Sequence, residues 1–531
     1  MLMDRRDFLK QAGVSMVASI ASPALVRAVE RTTLRFVPQT ELVLLDPIFT
    51  TAYVTRNHAY MVFDTLYGMD GTYQIRPQML EGDKVENDGR LWTLMLREGL
   101  LWHDGEKVLA RDCVASIRRW AARDTFGSYL MAVTEELVAV DDRTIQFRLK
   151  RPFPGLRMAL GKTTPPMCAM MPERLALTDP MKALTEMVGS GPFRYRAEEQ
   201  QAGIKSVYTK FEGYRPRDTG TPDWTAGPKI AHYDEVEWTT ISDVGTASAA
   251  LQAGEQDWLA YASPDLAPLL RETKGIRLQQ LDSSGMVNML RVNHLQPPFD
   301  NPAIRRALLG AFDQTACMEA IVGSDPASYR VPLGYFCPGT PMASEAGLET
   351  FRGHADPRKT REELTRAGYA NERIVLMVPA DNPPLKALGD VCAELMKDAG
   401  LNVEYAAMDW ASMLARRNKR EPISQGGWHA FVVGSAGMDW LSPAVHSYIR
   451  GNGTAGITGW PTSARLEQLR VDWFEAPDEA AQRQICADIQ MQCLVDVPYY
   501  PLGQYLQQTA SRTSIDGILN GFPVFWNVRP A

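Results

Sequence analysis

The sequence predicts an α/β protein of two or three lobes, and three observations carry that prediction. The chain has 531 residues, whereas a single hydrophobic core stops growing at roughly 250–300 residues. Period-two strands and helical patterns are interspersed along the whole length rather than segregated, as in mixed α/β layers. A strand–helix–strand run in the C-terminal half needs a crossover connection, and therefore a parallel sheet. With 45% apolar and 22% charged residues, the composition is ordinary for a globular chain. It has no low-complexity stretch or solenoid period, which excludes disorder and repeat arrays.

Thr33-Leu34-Arg35-Phe36-Val37 is the first strand expected. Residues 91–97 form another, and residues 144–149 (TIQFRL) alternate cleanly with period two. A helix is expected over 302–311, with Asn301 placed to cap it and Pro302 at its first position. Residues 374–378 are a continuous apolar run of the kind buried in parallel sheets. Residues 385–399 carry apolar side chains at helical spacing and stop at Gly400, and 401–405 reads as the next strand. Turn-rich connections lie at 212–228, 297–302 and 451–461.

The N-terminus has the charged, apolar, small-residue order of a secretory signal. Asp4-Arg5-Arg6-Asp7-Phe8-Leu9-Lys10 precedes a mildly apolar run over 11–26, which ends in Val26-Arg27-Ala28. The Arg-Arg-x-Phe-Leu-Lys core resembles the twin-arginine class, with Arg5 and Arg6 as its paired arginines and Ala28 closing a cleaved segment, residues 1–28. No later stretch approaches the roughly 20 apolar residues of a membrane span, and no Cys follows the run to carry a lipid. The mature chain is expected to be periplasmic. The net charge is -7. Residues 1–28 hold four basic and two acidic groups, so their removal gives -9, a poor balance for nucleic acid.

Seven cysteines, an odd number with no C-x-x-C pair, read as buried free thiols. The seven histidines are scattered, none three or four residues from another. There is no G-x-S-x-G elbow, H-E-x-x-H pair or glycine-rich phosphate loop. No enzymatic activity, cofactor or bound metal is therefore expected.

Several segments, in order, resemble the family 5 extracellular solute-binding proteins, the peptide, nickel and opine receptors of ABC importers. The densest is Leu91-Trp92-Thr93-Leu94-Met95-Leu96-Arg97-Glu98-Gly99 with Trp102-His103-Asp104-Gly105 and Ala110-Arg111-Asp112-Cys113-Val114. Gly99 and Gly105 suit turn conformations closed to other residues, and Asp112 could cap a helix. Gly189-Ser190-Gly191-Pro192, residues 293–313, Ala367-Gly368-Tyr369 and Val497-Pro498-Tyr499-Tyr500-Pro501 follow.

The resemblance implies a two-lobed type II periplasmic binding protein with the ligand in the cleft between the lobes. Lobe I would comprise 29–71, 190–287 and 503–531; an inserted subdomain, 72–189; and lobe II, 288–502. The hinge would lie near 286–291 and 497–503. The implied function is capture of a peptide or amine-bearing peptide-like solute by a monomer, and delivery to the permease and ATPase subunits of an inner-membrane ABC importer. Receptors for an opine, sugar or metal chelate, and a chemosensory role without transport, stand as alternatives.

Peptide-binding members of that family hold the ligand amine with an Asp in a glycine-containing loop, which here is Gly434-Ser435-Ala436-Gly437-Met438-Asp439-Trp440. Counting from either end of the loop places Met438 or Asp439 at that position, and Asp439 supplies the carboxylate an amine needs. Gly437 and Trp440 would flank the ligand, and Tyr53 lies where the first lobe makes contacts. Dipeptide binders also carry an Arg for the ligand carboxylate; Asn382 stands there, and an amide cannot form the charged fork.

Overall fold

The computed structural model describes residues 32–531. The expected signal, with Arg5, Arg6 and Ala28, lies outside the described residues.

Three main sheets organise the molecule. The first has seven strands in the order Ile276–Gln279, Gln508–Arg512, Trp258–Ala262, Thr33–Val37, Glu235–Thr239, Lys205–Lys210, Phe193–Tyr195. The opening strand lies parallel to both of its neighbours. The second sheet has six strands in the order Tyr329–Arg330, Tyr500–Tyr505, Met286–Val292, Ala430–Ala436, Arg373–Pro379, Asn402–Met408. The third is a four-stranded antiparallel sheet from the chain between the first two strands of the first sheet, in the order Leu80–Glu86, Leu91–Leu96, Thr144–Leu149, Thr134–Ala139.

The strand–helix–strand run expected in the C-terminal half is present. Arg373–Pro379 pairs parallel to Asn402–Met408, and helix Pro383–Asp398 connects them. Gly400, at φ 93°, ends the helix in the left-handed region that favours glycine. Asn301 caps helix Pro302–Leu308 by accepting from the Ala303 N–H at 2.9 Å. That helix is shorter than expected, because its last turn tightens into a 3-10 segment at Leu309–Ala311.

Two expectations shift. Asp112 is not the N-cap of helix Ala110–Ala121. It stands one turn in and reaches back to the Leu109 N–H at 2.9 Å, while also accepting from the Glu173 N–H at 2.9 Å. Its carboxylate thus satisfies two orphan donors from different segments. The chain crossings also move. Met286–Val292 and Tyr500–Tyr505 pair with each other as interior strands of the second sheet. The crossings are the short links beside them, 280–285 and 506–507.

The third sheet reaches across to the second. Tyr129, in helix Thr125–Val133, stacks on Phe474 of helix Ala464–Glu475 with ring centroids 4.0 Å apart, and Arg151 pairs with Glu475 beside them. All seven cysteines are buried and free.

Candidate functional site

The site begins with helix Tyr53–Val62, which follows the first strand. Its C-terminal end is held by a tight turn. The Gly191 N–H donates to the Val62 carbonyl at 2.9 Å, and the His103 N–H donates to the Gly189 carbonyl at 2.8 Å. A Cβ on Gly189 would sit 2.0 Å from the Val62 oxygen, and one on Gly191 2.4 Å from the Met61 oxygen. Only glycine lets the two backbones approach this closely. His103, buried against Phe211, uses both ring nitrogens on this turn, facing the Gly191 carbonyl at 3.0 Å and the Gly189 N–H at 3.4 Å. The Gly-Ser-Gly-Pro and Trp-His-Asp-Gly segments thus act together to fix one helix.

That helix presents Tyr53 and Arg56, one turn apart, to the junction between the first and second sheets. Across the junction, strand Ala430–Ala436 runs into a 3-10 turn, Gly437–Trp440. The Tyr53 hydroxyl donates to Asp439 Oδ2 and accepts from the Ala436 N–H at 2.9 Å. One hydroxyl from the first lobe is therefore clasped by two groups of the second. Gly437 lets the turn press on the crossing segment: its N–H donates to the Gly285 carbonyl at 2.8 Å, and a Cβ would lie 1.9 Å from the Ser284 oxygen.

The turn sorts its side chains. Met438 and Trp440 are fully buried, whereas Asp439 keeps part of its surface accessible. With about three residues per 3-10 turn, the central residue points away from its neighbours. The expected cleft-wall role of Trp440 is not what its position offers. Its Nε1 donates to the Tyr499 hydroxyl at 2.7 Å, and its ring lies stacked at 5.3 Å from Tyr448 and at 4.9 Å from His446. Trp440 and Met438 hold the turn from behind, and Asp439 alone of the three faces Tyr53.

Asn382 is likewise committed locally. It caps helix Pro383–Asp398, its Oδ1 accepting from the Leu385 N–H at 3.3 Å. It does not line the cavity beside Tyr53.

That cavity is small, with a volume of about 70 Å³. Tyr53, Arg56, Asp282, Gln507, Thr509 and Phe522 are among its lining residues. It lies against both crossings, since Leu281 and Asp282 belong to one and Gln507 to the other. Arg56, Asp282 and Phe522 were not picked out from the sequence. A signal existed for Arg56, the one formally charged residue of the helix Tyr53–Val62. None existed for Phe522, which only the fold brings to Tyr53.

Burial dominates the electrostatics, although Tyr53 and Asp439 each keep part of their surface accessible. Burial raises the Asp439 carboxyl above its ordinary value, opposed by the Tyr53 hydrogen bond and by the charge of Arg56. Burial also pushes the Tyr53 hydroxyl well up, with the Asp439 charge adding to it. Tyr53 is therefore a neutral donor to a carboxylate that carries its charge at some cost.

Comparison with known proteins agrees with this architecture. A family description, bacterial extracellular solute-binding proteins, family 5 Middle, matches residues 74–455. A probable peptide ABC transporter periplasmic-binding protein of Sinorhizobium fredii is 32% identical over 538 residues, covering 100% of each chain. A glutathione-binding protein of Pectobacterium atrosepticum is 25% identical, covering 89% of this chain and 88% of its own. Among solved structures, a periplasmic binding protein of A. tumefaciens R10 in complex with agropinic acid superposes with a TM-score of 0.74 at 21% identity, covering 94% of this chain and 99% of that one. A dipeptide-binding protein of Pseudoalteromonas sp. SM9913 in complex with Met-Leu gives a TM-score of 0.76 at 17% identity, covering 94% and 100%.

Proposed function

Because the chain belongs to the bacterial extracellular solute-binding proteins of family 5, and so serves as the solute-capturing component of an ABC import system, we propose that it closes two lobes over a peptide-like solute whose amine is held by Asp439. The observation that carries this reading is the Tyr53–Asp439 contact. A carboxylate stands at the lobe junction with only a neutral hydroxyl against it. A solute ammonium offers that carboxylate the charged partner that a buried anion lacks. The names of the relatives in Sinorhizobium and Pectobacterium, peptide and glutathione, support a peptide-like solute of this kind.

Binding and closure are one event on this reading. The solute bridges residues from both lobes, so it stabilises the closed form by its difference in affinity for the two states. The capping role of Asn382 argues that no guanidinium grips a dipeptide carboxylate at that position. The twin-arginine stretch around Arg5 and Arg6 supports export of a chain that folds before it crosses the membrane. Among the described residues, no helix is long and apolar enough to cross a membrane.

The test is to purify the exported protein gently, denature it, and identify the released molecule by mass spectrometry. An amine-bearing peptide or conjugate is expected. Calorimetry with that molecule should show weakened binding by Asp439→Asn, while unchanged affinity would remove Asp439 from the site. Glutathione is the first synthetic probe to try.

A further inference from the structure

Arg56 is the one basic side chain lining the cavity, and it has no opposite charge in contact; the acidic lining residue, Asp282, is turned to Ser284. Five arginines among the described residues are less than 9% exposed: Arg56, Arg119, Arg291, Arg305 and Arg470. Arg119 pairs with Asp46 at 2.7 Å. Arg291 and Arg305 each donate to several backbone carbonyls, and Arg470 reaches both a carbonyl and Glu467. Arg56 has only its neighbour Asn57, whose Oδ1 accepts from Nε at 3.2 Å and Nη2 at 3.0 Å. Its guanidinium carbon lies over two aromatic rings, 3.7 Å from the Phe522 centroid and 5.1 Å from that of Tyr53. Such cation–π contacts leave the N–H groups free to donate. Asp282 and Asp439 are near enough to act on its charge, but neither is within ion-pair distance.

A buried cation without a charged partner is costly, and the protein keeps it at the wall of a cavity rather than in a core. We propose that Arg56 is the anion-binding residue of this site, and that the captured solute is zwitterionic, with a carboxylate on Arg56 and an amine on Asp439. This inference rests on the peptide-like reading above and narrows it. The anion grip absent at Asn382 is placed on the opposite lobe, on the same helix face as Tyr53. Asp439 does not line the cavity itself but stands behind Tyr53, which does, so a ligand must present its two charges far enough apart to reach from Arg56 past Tyr53 to Asp439, which favours amino-acid-like conjugates and short peptides over long ones.

Three peptide pools of matched sequence test the proposal by thermal shift and calorimetry on the mature protein stripped of bound solute. The first has free amine and free carboxylate, the second a C-terminal amide, and the third an acetylated amine. Wild type should be stabilised by the first pool and lose roughly 30-fold or more in affinity for the second, as expected when one partner of a buried charge pair is removed. Arg56→Gln should bind the first two pools equally, while Arg56→Lys, which keeps the charge, should retain a carboxylate preference. Equal binding of the first two pools by wild type, or a carboxylate preference surviving in a folded Arg56→Gln, overturns the assignment of Arg56. Equal binding of the acetylated pool overturns the amine reading and leaves Arg56 standing. Stabilisation by none of the pools overturns both.

Discussion

Replacing Tyr53 by Phe removes one oxygen and breaks two contacts that span the lobes. The hydroxyl donates to Asp439 and accepts from the Ala436 N–H at 2.9 Å. A hydrogen bond to a charged group contributes about 1.5–3 kcal/mol and a neutral one about 1 kcal/mol. Because Asp439 keeps some access to water, a bridging molecule can replace part of the first. The discounted sum is about 1.5–3 kcal/mol, which shifts the closed-to-open ratio of the solute-free protein roughly 10- to 150-fold toward open. The stack of Tyr129 on Phe474 also holds the closed form, but distant contributions add, so the shift survives. Dyes placed through Leu177→Cys and Met491→Cys would report the distance between the third sheet's subdomain and the second lobe. Both positions are exposed, at 73% and 47%, and all seven native thiols are buried. Single-molecule transfer distributions should move toward low efficiency in Tyr53→Phe. Superimposable distributions for the two proteins would refute the idea that this hydroxyl latches the lobes.

Other perturbations have equally definite outcomes. The Asp439 carboxyl sits above the ordinary 3.8 because burial disfavours its charge; the native state therefore binds its proton more tightly than the unfolded chain, and the stability of the solute-free protein falls as pH rises through that window. Asp439→Asn should accordingly raise Tm at pH 7, with the gain shrinking as the pH falls toward 3.8, as read by calorimetry across pH. Over the same window the solute affinity of wild type should rise with pH. Asp64→Asn breaks a buried pair with Lys229 at 2.7 Å and should cost about 3–5 kcal/mol in urea unfolding. Gly189→Ala forces a Cβ against the Val62 oxygen and should cost about 1–3 kcal/mol, with weakened solute binding because the helix bearing Tyr53 and Arg56 is displaced. Converting Arg5 and Arg6 together to Lys should leave the uncleaved chain in the cytoplasm by fractionation, whereas undiminished export would exclude the twin-arginine route.

Where the sequence was legible, the deciding forces were local. The alternation of residues 144–149 and the apolar run before helix Pro383–Asp398 marked strands because burial on one face or two writes itself into neighbouring positions. Asn301 and Gly400 marked helix ends because capping is decided within a few residues. The site was legible only in part. Asp439 and Tyr53 could be singled out, but nothing in the local pattern says that the two meet. Asn382 stood at the position of a ligand contact, and its short side chain met the stronger local demand of a helix N-terminus. Trp440 lay next to the right residue, yet a 3-10 turn sends adjacent side chains to opposite sides. The cavity wall at Arg56, Asp282 and Phe522 comes from three distant segments, and only tertiary packing joins them.

The ring that faces Arg56 comes from the end of the chain. Phe522 packs against Tyr60 at 5.3 Å and Trp224 at 5.1 Å, Phe525 against Phe36 at 4.9 Å, and the Trp526 Nε1 donates to the Trp224 carbonyl at 3.0 Å. Strand Gln508–Arg512, two places from the opening strand in the first sheet, also belongs to this final stretch. The helix bearing Tyr53 and Arg56 stands near residue 55 of the chain, yet the wall it faces is supplied by residues 507–523. The two walls of the cavity therefore belong to segments far apart in sequence, and the cavity exists only when both are packed into the first sheet.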